Sequence, residues 1–184
     1  MSDESDDYHS FSALFIDRDG VINRRINDGY VISPTDFEFL PGVLDAFKIF
    51  QTKFKRIFIV TNQQGIGKGL MTEKDLEEVH SYMLEELEKA EIKIDKIYFC
   101  PALKTDNSPR RKPEIGMALE AKKEFPDIDL HTSIMIGDTT SDMKFGKNAG
   151  MKTILTVPDN YSDENDAYID EVHNGLHGFA LELE

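Results

Sequence analysis

The chain is short of positive charge and nearly free of cysteine. Its 21 Lys and Arg stand against 35 Asp and Glu, a formal net charge of -14 with a pI near 4.7. Such a surface repels nucleic acid and anionic membrane, so neither is expected as a partner. An anionic substrate would need a local basic pocket. The one cysteine, Cys100, cannot form an internal disulfide and falls short of a cysteine-rich zinc site, so a reducing, cytoplasmic setting is expected. No stretch approaches the roughly 18 apolar residues of a membrane span. The opening "MSDESDDYHS" lacks the basic start and apolar run of a signal peptide, and residues 1–10 are expected to form a disordered acidic lead-in.

What is present suits one domain, expected over residues 11–184: the chain has 184 residues, 40% of them hydrophobic, enough to bury a core. The short apolar runs "SALFID" (12–17), "RIFIVT" (56–61), "KIYFC" (96–100), "SIMIG" (133–137) and "KTILTV" (152–157) read as buried strands. Helical patterns alternate with them. "VLDAFKIFQ" follows Pro41 and Gly42, and "EKDLEEVHSYMLEELEKA" opens on Thr72 and Asp75 as an N-cap. "EIGMALEAKKEF" carries Pro113 where its first turn would start, and "SDMKFGKNAG" closes on Gly150. This alternation predicts an α/β fold, a Rossmann-like three-layer sandwich with a central parallel sheet. Residues 158–184 carry no clear pattern.

In such sheets a ligand lies beyond the carboxyl ends of the strands. The polar residues directly following the predicted strands are Asp17 and Asp19, Thr61 and Asn62, and Asp138 and Asp142, with Arg110, Arg111 and Lys112 in the loop after "YFC". Carboxylates converging on one rim repel one another unless a cation intervenes, and an all-oxygen set suits Mg²⁺. A hydroxyl, an amide and a lysine beside them suit phosphoryl oxygens. Together they describe phosphoryl transfer, with an aspartate available as nucleophile.

"DRDGVIN", "VTNQ", "RKP" and "GDTTSD", in that order, resemble the four motifs of the haloacid dehalogenase (HAD) superfamily, over about Phe11 to Pro158. The DRDG start, "GYV" at 29–31, "FEFLPGV" and "TNQQGIGKG" resemble the small branch without a large cap domain that contains D-glycero-D-manno-heptose 1,7-bisphosphate 7-phosphatase and histidinol-phosphate phosphatase. The resemblance implies that Asp17 attacks phosphorus and that Asp19 is the acid/base, with a raised pKa expected. It implies Mg²⁺ held by Asp17, the Asp19 carbonyl and Asp138, and Thr61 and Lys112 on the transferring oxygens. Asn62, Gln63, Arg110 and Arg111 would bind substrate, and Asp142 would brace the site.

One departure stands out. Members of this branch commonly carry Cys-x-His and Cys-x-Cys pairs in a zinc loop, where this chain has "CPAL" (100–103) and "SPRR" (108–111); zinc is expected to be absent. The expected substrate is a small phosphate ester, heptose 1,7-bisphosphate first and histidinol phosphate second, handled by a monomer. A receiver-like phosphoacceptor domain shares the carboxylates, Thr and Lys, but Asp19 argues for hydrolysis. A polynucleotide 3′-phosphatase would want a basic groove. His80 reads as a surface or packing residue, and "GIGKG" (65–69) as a flexible turn on the substrate side.

Overall fold

The computed structural model describes residues 10–157 and 167–184; the expected lead-in, Ser10 apart, lies outside the described residues. Six strands, β1 (Phe11–Ile16), β2 (Phe54–Asn62), β3 (Lys96–Cys100), β4 (Ile134–Gly137), β5 (Lys152–Thr156) and β6 (Glu171–His173), form one sheet in the order β3-β2-β1-β4-β5-β6. Every pairing is parallel. The helices are α1 (Val43–Lys53), the single turn α2 (Gln64–Gly67), α3 (Glu73–Lys89), α4 (Gly116–Glu124), α5 (Thr140–Asn148) and α6 (Gly175–Glu182).

Strand β1 shows why the central strands read as unbroken apolar runs: a parallel strand covered by helices on both faces has no polar side. Leu14 and Ile16 join Ile57, Ile59, Ile134 and Ile136 in a core with Phe47 and Phe50 of α1, Val79 and Met83 of α3, and Phe179 of α6. Ala13 and Phe15 point the other way, against Met117 and Ala121 of α4 and Phe145 of α5. Helix α3 starts as expected: the Thr72 hydroxyl accepts from the Asp75 N–H at 3.1 Å and the Asp75 carboxylate from the Thr72 N–H at 2.7 Å. No helix among the described residues is long and apolar enough to cross a membrane.

Two elements depart from the sequence reading. Strand β6 and helix α6 fill the tail that carries no legible pattern, because the strand has only three residues and exposes its one apolar side chain, Val172. The helix after the RKP motif begins at Gly116, not Pro113. Residues 109–116 instead make turns, with the Glu114 N–H on the Arg111 carbonyl and the Gly116 N–H on that of Pro109.

The chain winds outward from β1 to β2 and β3, then returns to lay β4 on the other side of β1. The strand order therefore reverses between β1 and β4, and a crevice opens at their carboxyl ends, where Asp17 and Asp138 follow. Phe50, with its ring 6.1, 5.9 and 6.0 Å from those of Phe47, Phe54 and Phe179, ties α1 to the sheet and to α6. Phe50→Ala is expected to cost about 3–5 kcal/mol of stability, read from urea melts.

Candidate active site

A buried ammonium organises the crevice. Lys112 Nζ lies 2.8 Å from Asp17 Oδ1, 2.6 Å from Asp142 Oδ1 and donates to the Val60 carbonyl at 2.7 Å, and all three of these side chains are almost fully buried. Asn62, at the end of β2, fixes the approach: its amide nitrogen donates to the Lys112 carbonyl at 3.1 Å, and its amide oxygen accepts from the Lys112 N–H at 3.0 Å. Asp142 is held by the first turn of α5, where its carboxylate accepts from the Thr139 N–H (3.1 Å) and hydroxyl (2.6 Å). A Cβ on Gly137 would sit 2.2 Å from Asp142 Cβ, so only glycine leaves room there.

Asp19 is enclosed by donors. Arg18 Nη2 reaches its two oxygens at 2.8 and 3.0 Å, Asn23 Nδ2 reaches Oδ1 at 3.0 Å, and Gln63 Nε2 reaches Oδ2 at 2.8 Å while also donating to the Thr61 hydroxyl at 2.8 Å. Arg18, fully buried, places its other terminal nitrogen 3.0 Å from His80 Nε2. Burial, then the adjacent Arg18 charge, push the His80 pKa down to about 3, so the ring is neutral. A guanidinium has no acceptor, hence Nε2 accepts and the ring proton sits on Nδ1.

Arg25 Nη2 occupies the space between the remaining carboxylates, 2.8 and 2.9 Å from the Asp138 oxygens, 2.7 Å from the Asp19 carbonyl and 3.8 Å from Asp17 Oδ2. Asp138 is brought close by the turn at Gly20, where φ is +91° and a Cβ would lie 2.1 Å from Asp138 Oδ2.

The electrostatics follow from burial and charge. Burial, then Asp142, raise the Asp17 pKa to about 7 against the pull of Lys112; burial raises that of Asp138 to about 6 against Arg25. Burial draws the Lys112 ammonium down, but Asp142 and Asp17 outweigh it and hold its pKa above the usual value. Asp19 corrects an expectation. Burial pushes its carboxyl up, but Arg18, Asn23 and Gln63 outweigh burial and hold it below the usual carboxylate range. An oxygen each from Asp17, Asp138 and Asp142 lies within 4.8 Å of the others. A buried, mutually repelling set of hard oxygen donors fits Mg²⁺. The other such group among the described residues, Glu171, His173 and Glu182, is an ion-pair cluster in which Lys152 Nζ lies 2.5 Å from Glu171.

Asp17, Asp19, Thr61, Asn62, Arg111, Lys112 and Asp142 line one cleft of about 880 Å³. Two predicted substrate contacts do not. Gln63 is buried and turned inward to Asp19 and Thr61, leaving Gln64 to line the cleft, and Arg110 is paired with Glu120 at 2.7 Å. His80 is neither surface nor mere packing, since it anchors Arg18. "GIGKG" begins inside the helical turn α2, and Lys68 after it lines the cleft with its Nζ over the Tyr30 ring at 5.5 Å. Residues 25–31 line the same cleft. Arg18 and Arg25 escape a sequence reading, which has no means of telling an arginine that turns into the site from one that points to solvent.

Residues 109–176 match the HAD-hydrolase-like family model. D-glycero-α-D-manno-heptose-1,7-bisphosphate 7-phosphatase of Campylobacter jejuni is 48% identical over 145 residues, 79% of this chain and 81% of that protein. The D-glycero-β-D-manno-heptose-1,7-bisphosphate 7-phosphatase of Helicobacter pylori is 42% identical over 149 residues, 80% of this chain and 84% of that one. In three dimensions the chain is similar to D,D-heptose 1,7-bisphosphate phosphatase from B. bronchiseptica, complexed with magnesium and phosphate: TM-score 0.80, 26% identity, covering 94% of this chain and 97% of that one. The chain belongs to the HAD superfamily, in the branch without a large cap domain, and is a magnesium-dependent phosphatase of small phosphate esters. The receiver-like reading gives way, because a hydrolase releases its phosphate.

Raised carboxylate pKa values have a sign that can be tested. Asp17 and Asp138 favour the metal-free fold most at low pH, and their contribution is lost as pH rises through about 6 and about 7. Mg²⁺ needs them ionised. The gain in melting temperature on adding Mg²⁺ is therefore expected to be small at pH 5 and largest at pH 8; a gain independent of pH would count against these ligands.

Proposed function

We propose that the chain removes the 7-phosphate of D-glycero-D-manno-heptose 1,7-bisphosphate, leaving the 1-phosphate and inorganic phosphate. The observation that carries this reading is cationic charge at two depths of one cleft. Lys112 lies buried at the floor, whereas Arg111 and the exposed Lys68 stand nearer the rim, in a volume larger than one phosphoryl group needs. Such a cleft suits a substrate with a second phosphate. The kinship with heptose bisphosphate phosphatases of both anomeric preferences supports the same choice.

In this reading the Asp17 carboxylate attacks phosphorus, forming an aspartyl phosphate as the bond to the sugar oxygen breaks and that oxygen takes a proton from Asp19. Asp19, now a carboxylate, draws a proton from water, which attacks phosphorus and regenerates Asp17. Lys112 and Thr61 meet the transferring oxygens, and Asn62 holds Lys112 at its backbone. Asp17, the Asp19 carbonyl and Asp138 would hold Mg²⁺, which lessens the repulsion between nucleophile and phosphate. Asp142 braces Lys112. The proton drawn from water is left on Asp19 when Asp17 is regenerated; in the free site, where this carboxyl is held below the usual range, that proton is lost to solvent and is regained once substrate binds.

We also read the protein as a cytoplasmic monomer that avoids nucleic acid. A net charge of -14 disfavours polyanions.

The test is phosphate release with Mg²⁺ from both heptose bisphosphate anomers, histidinol phosphate and a 3′-phosphorylated oligonucleotide. A heptose anomer is expected to be preferred, and Asp17→Asn to lower kcat by at least about 10³-fold. A preference for histidinol phosphate would overturn the substrate, and an active Asp17→Asn protein the mechanism. Arg111→Ala should raise KM for the bisphosphate by roughly tenfold, with a smaller effect on monophosphates.

A further inference from the structure

Arg25 plays no part in the chemistry described above, yet its guanidinium lies against the same oxygens assigned to the metal. Nη2 is 2.7 Å from the Asp19 carbonyl, 2.8 and 2.9 Å from the two Asp138 oxygens and 3.8 Å from Asp17 Oδ2. A nitrogen at those distances and an ion bound at roughly 2.0–2.1 Å to the same atoms cannot share the space. We propose that Arg25 is an intramolecular competitor of the divalent cation, a cationic plug that holds the metal cradle together and must leave before Mg²⁺ enters. The proposal rests on the metal assignment made above.

Three observations support it. The first is charge. When all four are ionised, the carboxylates of Asp17, Asp19, Asp138 and Asp142 are met by the cations of Lys112, Arg18 and Arg25, which leaves one negative charge in surplus. Exchanging Arg25 for a divalent ion removes that surplus. The second is reach and freedom: the Arg25 side chain is 45% exposed, unlike Lys112 and Arg18 at 2% and 0%, so it alone of the three can withdraw without opening the core. The third is where it would go. Arg25 belongs to the wall formed by residues 25–31, and a guanidinium released there remains in the cleft, beside an incoming phosphate ester. Entry of the metal thus turns a structural cation into one available to substrate.

The measurement is Mn²⁺ binding by electron paramagnetic resonance, without substrate, on the parent chain, Arg25→Met and Arg25→Lys, with melting of each protein in EDTA and in saturating Mg²⁺. If the plug fills the site about nine-tenths of the time, removing it tightens Mn²⁺ binding by about tenfold, with Arg25→Lys in between. In EDTA, Arg25→Met should melt about 2–4 °C below the parent, and in Mg²⁺ the two should coincide. Equal or weaker Mn²⁺ binding by Arg25→Met would overturn the proposal, as would an unchanged melting temperature in EDTA. Asp138→Asn separates the two levels. If it abolishes Mn²⁺ binding while Arg25→Met gains nothing, the plug alone is wrong; if it leaves binding intact, the metal assignment falls and the plug falls with it.

Discussion

A lysine ammonium buried between two buried aspartates is the interaction on which the rest of the site depends. Lys112 joins Asp17 at the end of β1, the Val60 carbonyl of β2 and Asp142 in the first turn of α5. Taking three charges out of water is costly, and the cluster persists only because each is paired. Loss of the ammonium would leave two desolvated carboxylates facing each other. Several otherwise odd local choices serve to deliver it: the amide of Asn62 gripping the backbone of residue 112, the turns of residues 109–116 where a helix would be simpler, and the glycine at 137 that lets Asp142 come close.

Much of this was legible in the sequence. Five of six strands and the main helices follow from runs such as "SALFID" and "RIFIVT", because a strand buried on both faces leaves no ambiguity about its environment. The positions of Asp17, Asp138 and Lys112 followed from one rule, that ligands gather at the carboxyl ends of parallel strands. What stayed hidden shares a physical cause: a one-dimensional pattern reports burial and periodicity, not the direction in which a polar side chain turns. Gln63 and Arg110 flank true cleft residues yet face inward to Asp19 and sideways to Glu120. Arg18 is fully buried although arginine is among the residues least often found there. The tail defeated the reading because β6 is too short to show alternation.

The Asp19 carboxyl illustrates how the direction of a pKa depends on neighbours that only a fold can supply. An acid placed near Asp17 and Asp138 would be expected to hold its proton, by burial and like charge. Here the carboxylate is turned to Arg18, Asn23 and Gln63, and donors to the charged form outweigh desolvation. His80 completes the arrangement from α3: as a neutral acceptor it satisfies the far side of Arg18 without adding a charge of its own. The proposed acid is therefore a carboxylate in the free site. On the proposed mechanism its protonation is tied to the arrival of negative charge in the cleft, and in the free site the buried proton lies on Asp17 and not on Asp19.

Charge is also what reconciles an acidic protein with an anionic substrate. The chain repels polyanions over most of its surface, at a net charge of -14, while Lys112, Arg111, Lys68 and Arg25 line or underlie a single cleft. Once a divalent cation neutralises the carboxylates that share this cleft, a small anion at the mouth, within the Debye length of about 8 Å at physiological salt, would respond to these cations more than to carboxylates elsewhere on the surface. A polyanion lying along the outer surface would meet mostly carboxylates there. On the reading proposed above, positive charge confined to one cleft would favour small esters over polymers without the help of a large cap domain.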